Sequence, residues 1–422
     1  MRRRERARAS RVQWPRRGFS VKAPRLIADL SRTRIRSIDA LRGLTILVMV
    51  FVNQLAGVSG MPTWARHMAA DADAMSFVDV VFAAFLFIVG MAIPFALEQR
   101  VSRGDDGADL QRHILGRTLG LLVLGLFMVN AESGANEAFM PLRIPAWSLC
   151  FYLCIYLVWG VYGDAAPGGR NLWRSAGVLG LLLLAEAYHG GKDGAGWMTH
   201  QWWGILGLIG WSYLIACSVY LACRARVAWL LAAVAACIAF YAAGHAMAGA
   251  PRPGWTDLFD ERATICETSL TLLGVVTSLL FFGRPWGGPP PARRFVHAAA
   301  LVVALVVAGA ALRPLYTISK IYGSPTWCLY SAAICIALFA ALYWLIDLRG
   351  HAEWASWLAP AAANPLVAYL IPFVVEAGLE TFHLELPEAF GHGAAGVAFS
   401  AVYALLVLGA TAVLTPRLRL QL

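Results

Sequence analysis

Polar side chains are expensive within a membrane, so in a chain this apolar the few that occur are the first candidates for chemistry. They fall into two sets. The first begins with Asn53, at the end of one apolar run. It continues through the loop GMPTWARHMAADADAMSFVDVVF (Gly60–Phe82), which carries His67, Asp71, Asp73 and Asp79. Asn130 and Glu132 close a later run and Arg143 opens the next. Glu186, Glu267, Ser319, Lys320, Glu376 and His383 fall on the same face once the runs alternate across a bilayer. A loop histidine between two polar-ended helices can be a general base, a nucleophile or neither. Asp79 suits the first turn of the following helix, where a carboxylate complements the dipole. Asn53 and Asn130 sit where helix ends are capped. Asp71 and Asp73 read as solvated loop acids.

The second set is RIRSIDALRG (Arg34–Gly43) with Arg112, His113 and Arg117. Asp39 and Arg42 share a helix face and can pair. These arginines either anchor the chain at the cytoplasmic surface or clamp phosphate, since the guanidinium fork matches phosphate oxygens. A phosphorylated cytosolic cofactor fits the second reading.

The elements that must position these residues follow from composition. Of the 422 residues, 59% are hydrophobic and 14% charged, against about 45–50% and about 25% in ordinary globular domains. Mean hydropathy is +0.61. Soluble-enzyme classes are thereby excluded. The net charge of +10 does not indicate nucleic acid either, because the basic residues are not on a soluble domain. Twelve apolar segments of the length that crosses about 30 Å of hydrocarbon are expected. They lie near 38–57, 77–97, 114–131, 145–162, 173–189, 203–222, 227–248, 265–283, 295–312, 326–346, 361–378 and 394–414. Unbroken runs without dyad alternation favour helices over a barrel. With the N-terminus inside, inner loops hold 26 Lys and Arg and outer loops seven, as the positive-inside rule demands. The expected fold is an all-α, polytopic membrane bundle of about twelve transmembrane helices with both termini cytoplasmic. Residues 34–422 form that domain, and 1–33 a basic, disordered tail near anionic lipid. PRRGFSVK in the tail lacks the apolar region that an export signal needs. No internal repeat is evident.

Other residues take plainer readings. The eight cysteines lie almost wholly in apolar runs and read as packed thiols. Cys150 and Cys154 share a helix face without a second Cys/His pair, so no metal site is expected. Trp64, Trp197, Trp202, Trp203, Trp255 and Trp327 gather on the outer side as an interfacial aromatic belt.

Several stretches together resemble the heparan-alpha-glucosaminide N-acetyltransferase family. The opening carries most of the likeness: RIRSIDALRGLTILVMVFVNQ, then PTWARH, then FVDVVFAAFLFIVGMAIPFAL. HILGRTLGLLVLGLFMVN (His113–Asn130), LRIPAW, WWGILGLIGW, ISKIYGSPTWCLYSA, LYWLIDLRG and NPLVAYLIP continue it. The resemblance implies transfer of an acetyl group from cytosolic acetyl-CoA to an amino sugar or envelope glycan across a bacterial inner membrane. It implies that His67 is the active histidine, with Asn53 and Asp79 beside it. Cofactor contacts fall to Arg36, Arg42, Arg112, Arg117 and Asn130. Ala83 stands where the family usually has proline, which bears on the second helix's kink. The family's lysosomal member carries a lumenal domain not seen here, so its glycosaminoglycan substrate is not carried over.

The implied mechanism is physically coherent. Acetyl-CoA, with its phosphates, cannot cross a bilayer, so its nucleotide would sit at the inner arginines and its thioester near the outer set. His67 would take the acetyl group or deprotonate the acceptor, Asn53 would polarise the carbonyl, and Asp79 would orient the ring. Expected partners are acetyl-CoA, the acceptor, the bilayer and a second copy in a homodimer, with no nucleic acid. The rival is a transporter of a small polar solute; the missing repeat and the crowding of polar groups at one face weigh against it.

Overall fold

A computed structural model describes residues 35–162, 167–200, 204–246, 261–283, 289–416 and 418–420. The tail and the tryptophans 202, 203 and 255 lie outside them. Among the described residues the fold is all-α and polytopic, with twelve helices of sixteen or more residues. They are α1 (Arg36–Ala56), α2 (Phe77–Ser102), α3 (Gly107–Glu132), α4 (Ile144–Trp159), α5 (Pro167–Glu186) and α6 (Ile205–Ala222). There follow α7 (Val227–Ala246), α8 (Glu261–Phe282), α9 (Pro291–Leu312), α10 (Pro325–Leu342), α11 (Pro365–Thr381) and α12 (Gly393–Leu414). Each expected span falls on one of these helices. Nine of them are long and apolar enough to cross a membrane. A tenth span arises if Glu353–Ala363 and α11, bent by 72° to one another, count together, and α4 is apolar but shorter. The bend follows from Asn364–Pro365, since the residue before proline is pushed out of helical geometry; Asn364 has φ −137° and ψ 60°.

The core of the bundle is mainly apolar, with a set of polar side chains buried on one helix. α8 is the most enclosed helix, and it buries Thr264, Glu267, Thr268, Ser269, Thr271, Thr277 and Ser278. The outer faces of α5, α9 and α12 instead expose Leu182, Leu183, Val303, Val307, Leu405 and Leu406, a surface suited to lipid tails. Small residues let the central helices touch. A Cβ on Gly90 of α2 would lie 1.8 Å from the Thr271 carbonyl oxygen of α8, and one on Gly274 would lie 2.0 Å from that of Phe87.

Each end of the bundle is held by its own contacts. At one end, Ser59 N–H donates to Gly391 O (2.8 Å) and Asn136 N–H to His189 O (2.8 Å). At the other, Ser37 N–H at the start of α1 donates to Asp347 Oδ2 (3.2 Å). There Asn364 Nδ2 donates to Leu418 O (2.7 Å), and Val161 N–H to Arg419 O (2.8 Å). Asp347 lies in a π-helical turn, Tyr343–Leu348, which carries its carboxylate over the open N–H groups of α1. The start of α1 and the last described residues thus share one end, and His67 lies at the other.

Candidate active site

The His67 end is built on the first turn of α2. Ser76 caps that helix, its Oγ accepting from Val78 N–H (3.1 Å) while Asp79 Oδ2 accepts from Ser76 N–H (2.9 Å). This reciprocal arrangement is a capping box. Asp79 Oδ2 also accepts from Met68 N–H at 3.3 Å. The other oxygen, Oδ1, lies 2.7 Å from His67 Nδ1. A carboxylate taking two backbone N–H groups acts as an acceptor, so Nδ1 carries the proton and donates. The lone pair is left on Nε2. The His67 side chain is 45% exposed and that of Asp79 1%: a buried anion holds an accessible base. Asp79 thus spends one oxygen on the helix start and the other on the imidazole ring.

The loop acids are not merely solvated, as the sequence suggested. Asp73 accepts from Arg313 Nε (3.1 Å) and from Ile318 N–H (2.9 Å), and Asp71 accepts from Tyr322 Oη (3.2 Å). The Ile318 N–H and the Arg313 guanidinium hold the Asp73 carboxyl below its ordinary value. The His67 loop is thereby tied to residues 313–324. Trp327 departs from the expected belt: it is fully buried, stacks on Phe82 and donates from Nε1 to Asp79 O at 3.2 Å. Trp64 and Trp197 stay exposed, as a belt requires. Nothing in sequence marked Trp327, because a tryptophan one turn into a span looks the same buried or interfacial.

Other predicted residues are placed apart. Asn53 is exposed in the last turn of α1, and among the described residues no hydrogen bond joins it to His67 or Asp79. Asn130 is buried and committed: Nδ2 donates to Leu126 O (2.8 Å) and Thr199 O (2.9 Å), and Oδ1 accepts from Thr199 N–H (2.9 Å). It clasps the segment before α6 and is not brought to the arginines. Cys150 is exposed, while five of the other cysteines are buried.

The arginine set divides. Arg42 lies 3.5 Å from Asp39 and donates to Ala362 O at 3.3 Å, at the start of α1 where Arg36 is exposed. Arg112 and Arg117 instead line a cavity of about 430 Å³ with His113, Arg170, Arg174, Trp159 and Tyr162. The Arg117 guanidinium lies over the Tyr213 ring, 5.1 Å from its centre. Its Nε is buried with no hydrogen-bond partner among the described residues. Sequence reading counted Arg170 and Arg174 only as positive-inside charges. Their spacing puts them one turn apart on α5, a signal that both can serve one anion.

Comparison with known proteins decides the family. Residues 34–247, half of the chain, match the family described as "Domain of unknown function (DUF5009)". The chain belongs to the DUF5009 family. It is also similar to heparan-alpha-glucosaminide N-acetyltransferase of Homo sapiens, 32% identical over 97 residues, 23% of this chain and 14% of the relative. The Mus musculus protein of that name is 31% identical over 100 residues, 24% of this chain and 14% of the relative. The match thus spans about a seventh of these curated relatives. The His67–Asp79 pair and the arginine cavity both lie within the span that defines this DUF5009 chain.

Proposed function

We propose that this DUF5009 protein is a transmembrane acetyltransferase. It moves an acetyl group from acetyl-CoA at the cytoplasmic face to an amine or hydroxyl of an amino sugar or envelope glycan at the outer face of a bacterial inner membrane. The observation that carries the reading is the 2.7 Å contact between His67 Nδ1 and Asp79 Oδ1, which leaves a basic Nε2 on an accessible ring. Similarity to an N-acetyltransferase supports the reaction class.

In direct transfer, Nε2 removes the proton from the acceptor nitrogen or oxygen as its lone pair bonds to the acetyl carbon. The C–S bond breaks, and the departing CoA sulfur receives the proton from His67. In the covalent route Nε2 itself bonds to the acetyl carbon and releases CoA thiolate before the acceptor arrives. Both need the tautomer that Asp79 selects. Asn53, near the end of α1, polarises the thioester carbonyl. Arg112 and Arg117, with Arg170 and Arg174, hold the CoA phosphates, which guanidinium forks match; Arg36 and Arg42 extend the same basic face.

His67→Ala tests the reading. General-base loss is worth about 10²–10⁴-fold, so the variant should bind acetyl-CoA yet lose transfer and thioester hydrolysis by at least about a hundredfold. A folded variant with near-normal turnover overturns it. Radiolabelled acetyl trapped on wild type but not on the variant selects the covalent route. Solute uptake without acetyl-CoA turnover would select the transporter instead.

A further inference from the structure

We propose that the acceptor at the His67 site is a membrane lipid: an apolar groove between α1, α2 and α10 holds its hydrocarbon chain, and its head carries the amine or hydroxyl to His67. The chemistry rests on the proposed transferase activity; the groove does not. The groove is a cavity of about 380 Å³. Thr45 and Val48 of α1, Val80 and Ala84 of α2, and Ile334 and Leu338 of α10 form its walls. Among the described residues its lining carries no charged side chain. The three helices pack directly on one another, which leaves room between them for a chain but not for a further helix of about 10 Å diameter.

The groove opens sideways onto lipid. Ile334 and Leu338 on its rim are 47% and 39% exposed, and exposed apolar side chains in the middle of a membrane-spanning helix face hydrocarbon. Thr45 and Ala84 on its floor are buried. Its depth matches one leaflet. Trp327 Nε1 donates to Asp79 O at 3.2 Å, which sets the first turns of α2 and α10 level with one another. From Phe77 to Ala84 the helix rises about 10 Å, and from Trp327 to Leu338 about 17 Å; half the hydrocarbon thickness is about 15 Å. A lipid chain descending from the outer face fills that depth, whereas a free sugar gains nothing from an uncharged cleft.

The outer end of the groove is joined to the His67 loop. Phe77 lines it, and the Phe77 ring lies 5.9 Å from that of Trp64, three residues before His67. Trp64 is exposed, as an aromatic at headgroup level is. Ser76 lines the same end, and its Oγ donates to the carbonyl of Arg66, the residue next to His67, at 2.7 Å. One turn of α2 thus serves both parts, giving Phe77 and Val80 to the groove and Asp79 to His67. A chain seated there brings its head to the exposed imidazole. The head's amine or hydroxyl gives its proton to Nε2 and bonds to the acetyl carbon; the C–S bond breaks, and CoA leaves as the thiol with that proton.

The test uses hexadecyl glucosaminide with a diazirine in its chain, at low mole fraction in phosphatidylcholine vesicles that hold the whole chain. After illumination, mass spectrometry should find labelled peptides from residues 77–84 and 334–338 in clear excess over those around Leu182 and Leu183 of α5, which face ordinary lipid. Equal labelling overturns the inference, and so does an unlabelled groove, as a second copy seated there would give. Val80→Trp fills the groove and should remove the excess; Leu182→Trp should not. In the same vesicles, transfer from acetyl-CoA is compared for hexadecyl and methyl glucosaminide. The ratio of their kcat/KM values should fall at least about tenfold in Val80→Trp, because misplacing a reacting group by about an ångström costs that much or more. An unchanged ratio overturns the inference. Should Val80→Trp not fold, Leu338→Trp on the exposed rim carries both measurements. Wild type that is labelled in the groove but acetylates neither glucosaminide overturns the transferase reading and leaves the groove as a lipid site.

Discussion

Replacing Asp79 by asparagine separates the two tasks of one side chain. Oδ2 accepts from Ser76 N–H and Met68 N–H, at 2.9 and 3.3 Å, and Oδ1 accepts from His67 Nδ1 at 2.7 Å. An amide has one acceptor end. With its oxygen towards the two backbone donors, its NH₂ points at Nδ1, which must then become the acceptor. The proton moves to Nε2 and the base is lost. Turned the other way, the NH₂ meets two N–H donors inside a buried helix start, at a cost of about 1–3 kcal/mol for the unsatisfied groups. The first arrangement wins, so the helix cap survives and stability falls by no more than about 1 kcal/mol. Activity falls by the worth of a general base, about 10²–10⁴-fold. The assay is acetyl-CoA-dependent transfer or thioester hydrolysis in proteoliposomes, with thermal unfolding alongside. Ser76→Ala is the control: it loses the cap but keeps the Asp79–His67 contact, so it should unfold earlier and retain turnover. An Asp79→Asn protein with more than about a tenth of wild-type turnover would show that the tautomer is not what Asp79 supplies.

Three further outcomes follow from the architecture. A cysteine placed at position 67 should react with a membrane-impermeant maleimide from the periplasmic side of intact cells; labelling only after lysis reverses the orientation. The double change Arg170→Ala with Arg174→Ala should weaken acetyl-CoA binding at least about tenfold, with expression retained, as measured by equilibrium binding in detergent; unchanged affinity removes the cavity from the donor site. Asp73 has its carboxyl held low by Ile318 N–H and Arg313, so its tie is fully present above the ordinary value and is lost as pH falls through the lower folded one. Proteolysis of the His67 loop should accordingly be slow at neutral pH, rise only below about pH 4, and in Arg313→Ala begin at a higher pH; identical profiles refute the tie.

Helices were the legible part of this chain, because a run of twenty apolar residues has few alternatives in lipid. Each of the twelve expected spans coincides with a helix, and the boundaries that slipped did so where local chemistry overrode hydropathy. α2 runs on to Ser102, past the apolar run, because LEQR still favours helix, while the Asn364–Pro365 step bends the stretch read as one span from residue 361. His67 and Asp79 were legible only through the resemblance carried by PTWARH and FVDVVF; spacing alone left the histidine's role open and gave Asp79 a helix start. The basic set was harder. Arg36 and Arg42 share a sequence cluster but not the cavity of Arg112 and Arg117, whose other arginines come from α5. Least legible were the contacts that join residues 71–79 to residues 313–327. Nothing local distinguishes a solvated loop aspartate from one that meets an arginine some 240 positions away; only the close approach of α2 to α8 and α10 decides it. That approach rests on glycine: with Gly90 and Gly274 the backbones touch, and Trp327 then reaches Asp79 O. A bulkier residue at either position would part the helices and move the anchored carboxylate away from residues 313–327. The chemistry at one end of the bundle is thus conditioned by packing about two and three turns further along α2, which no motif spanning the His67 loop can report.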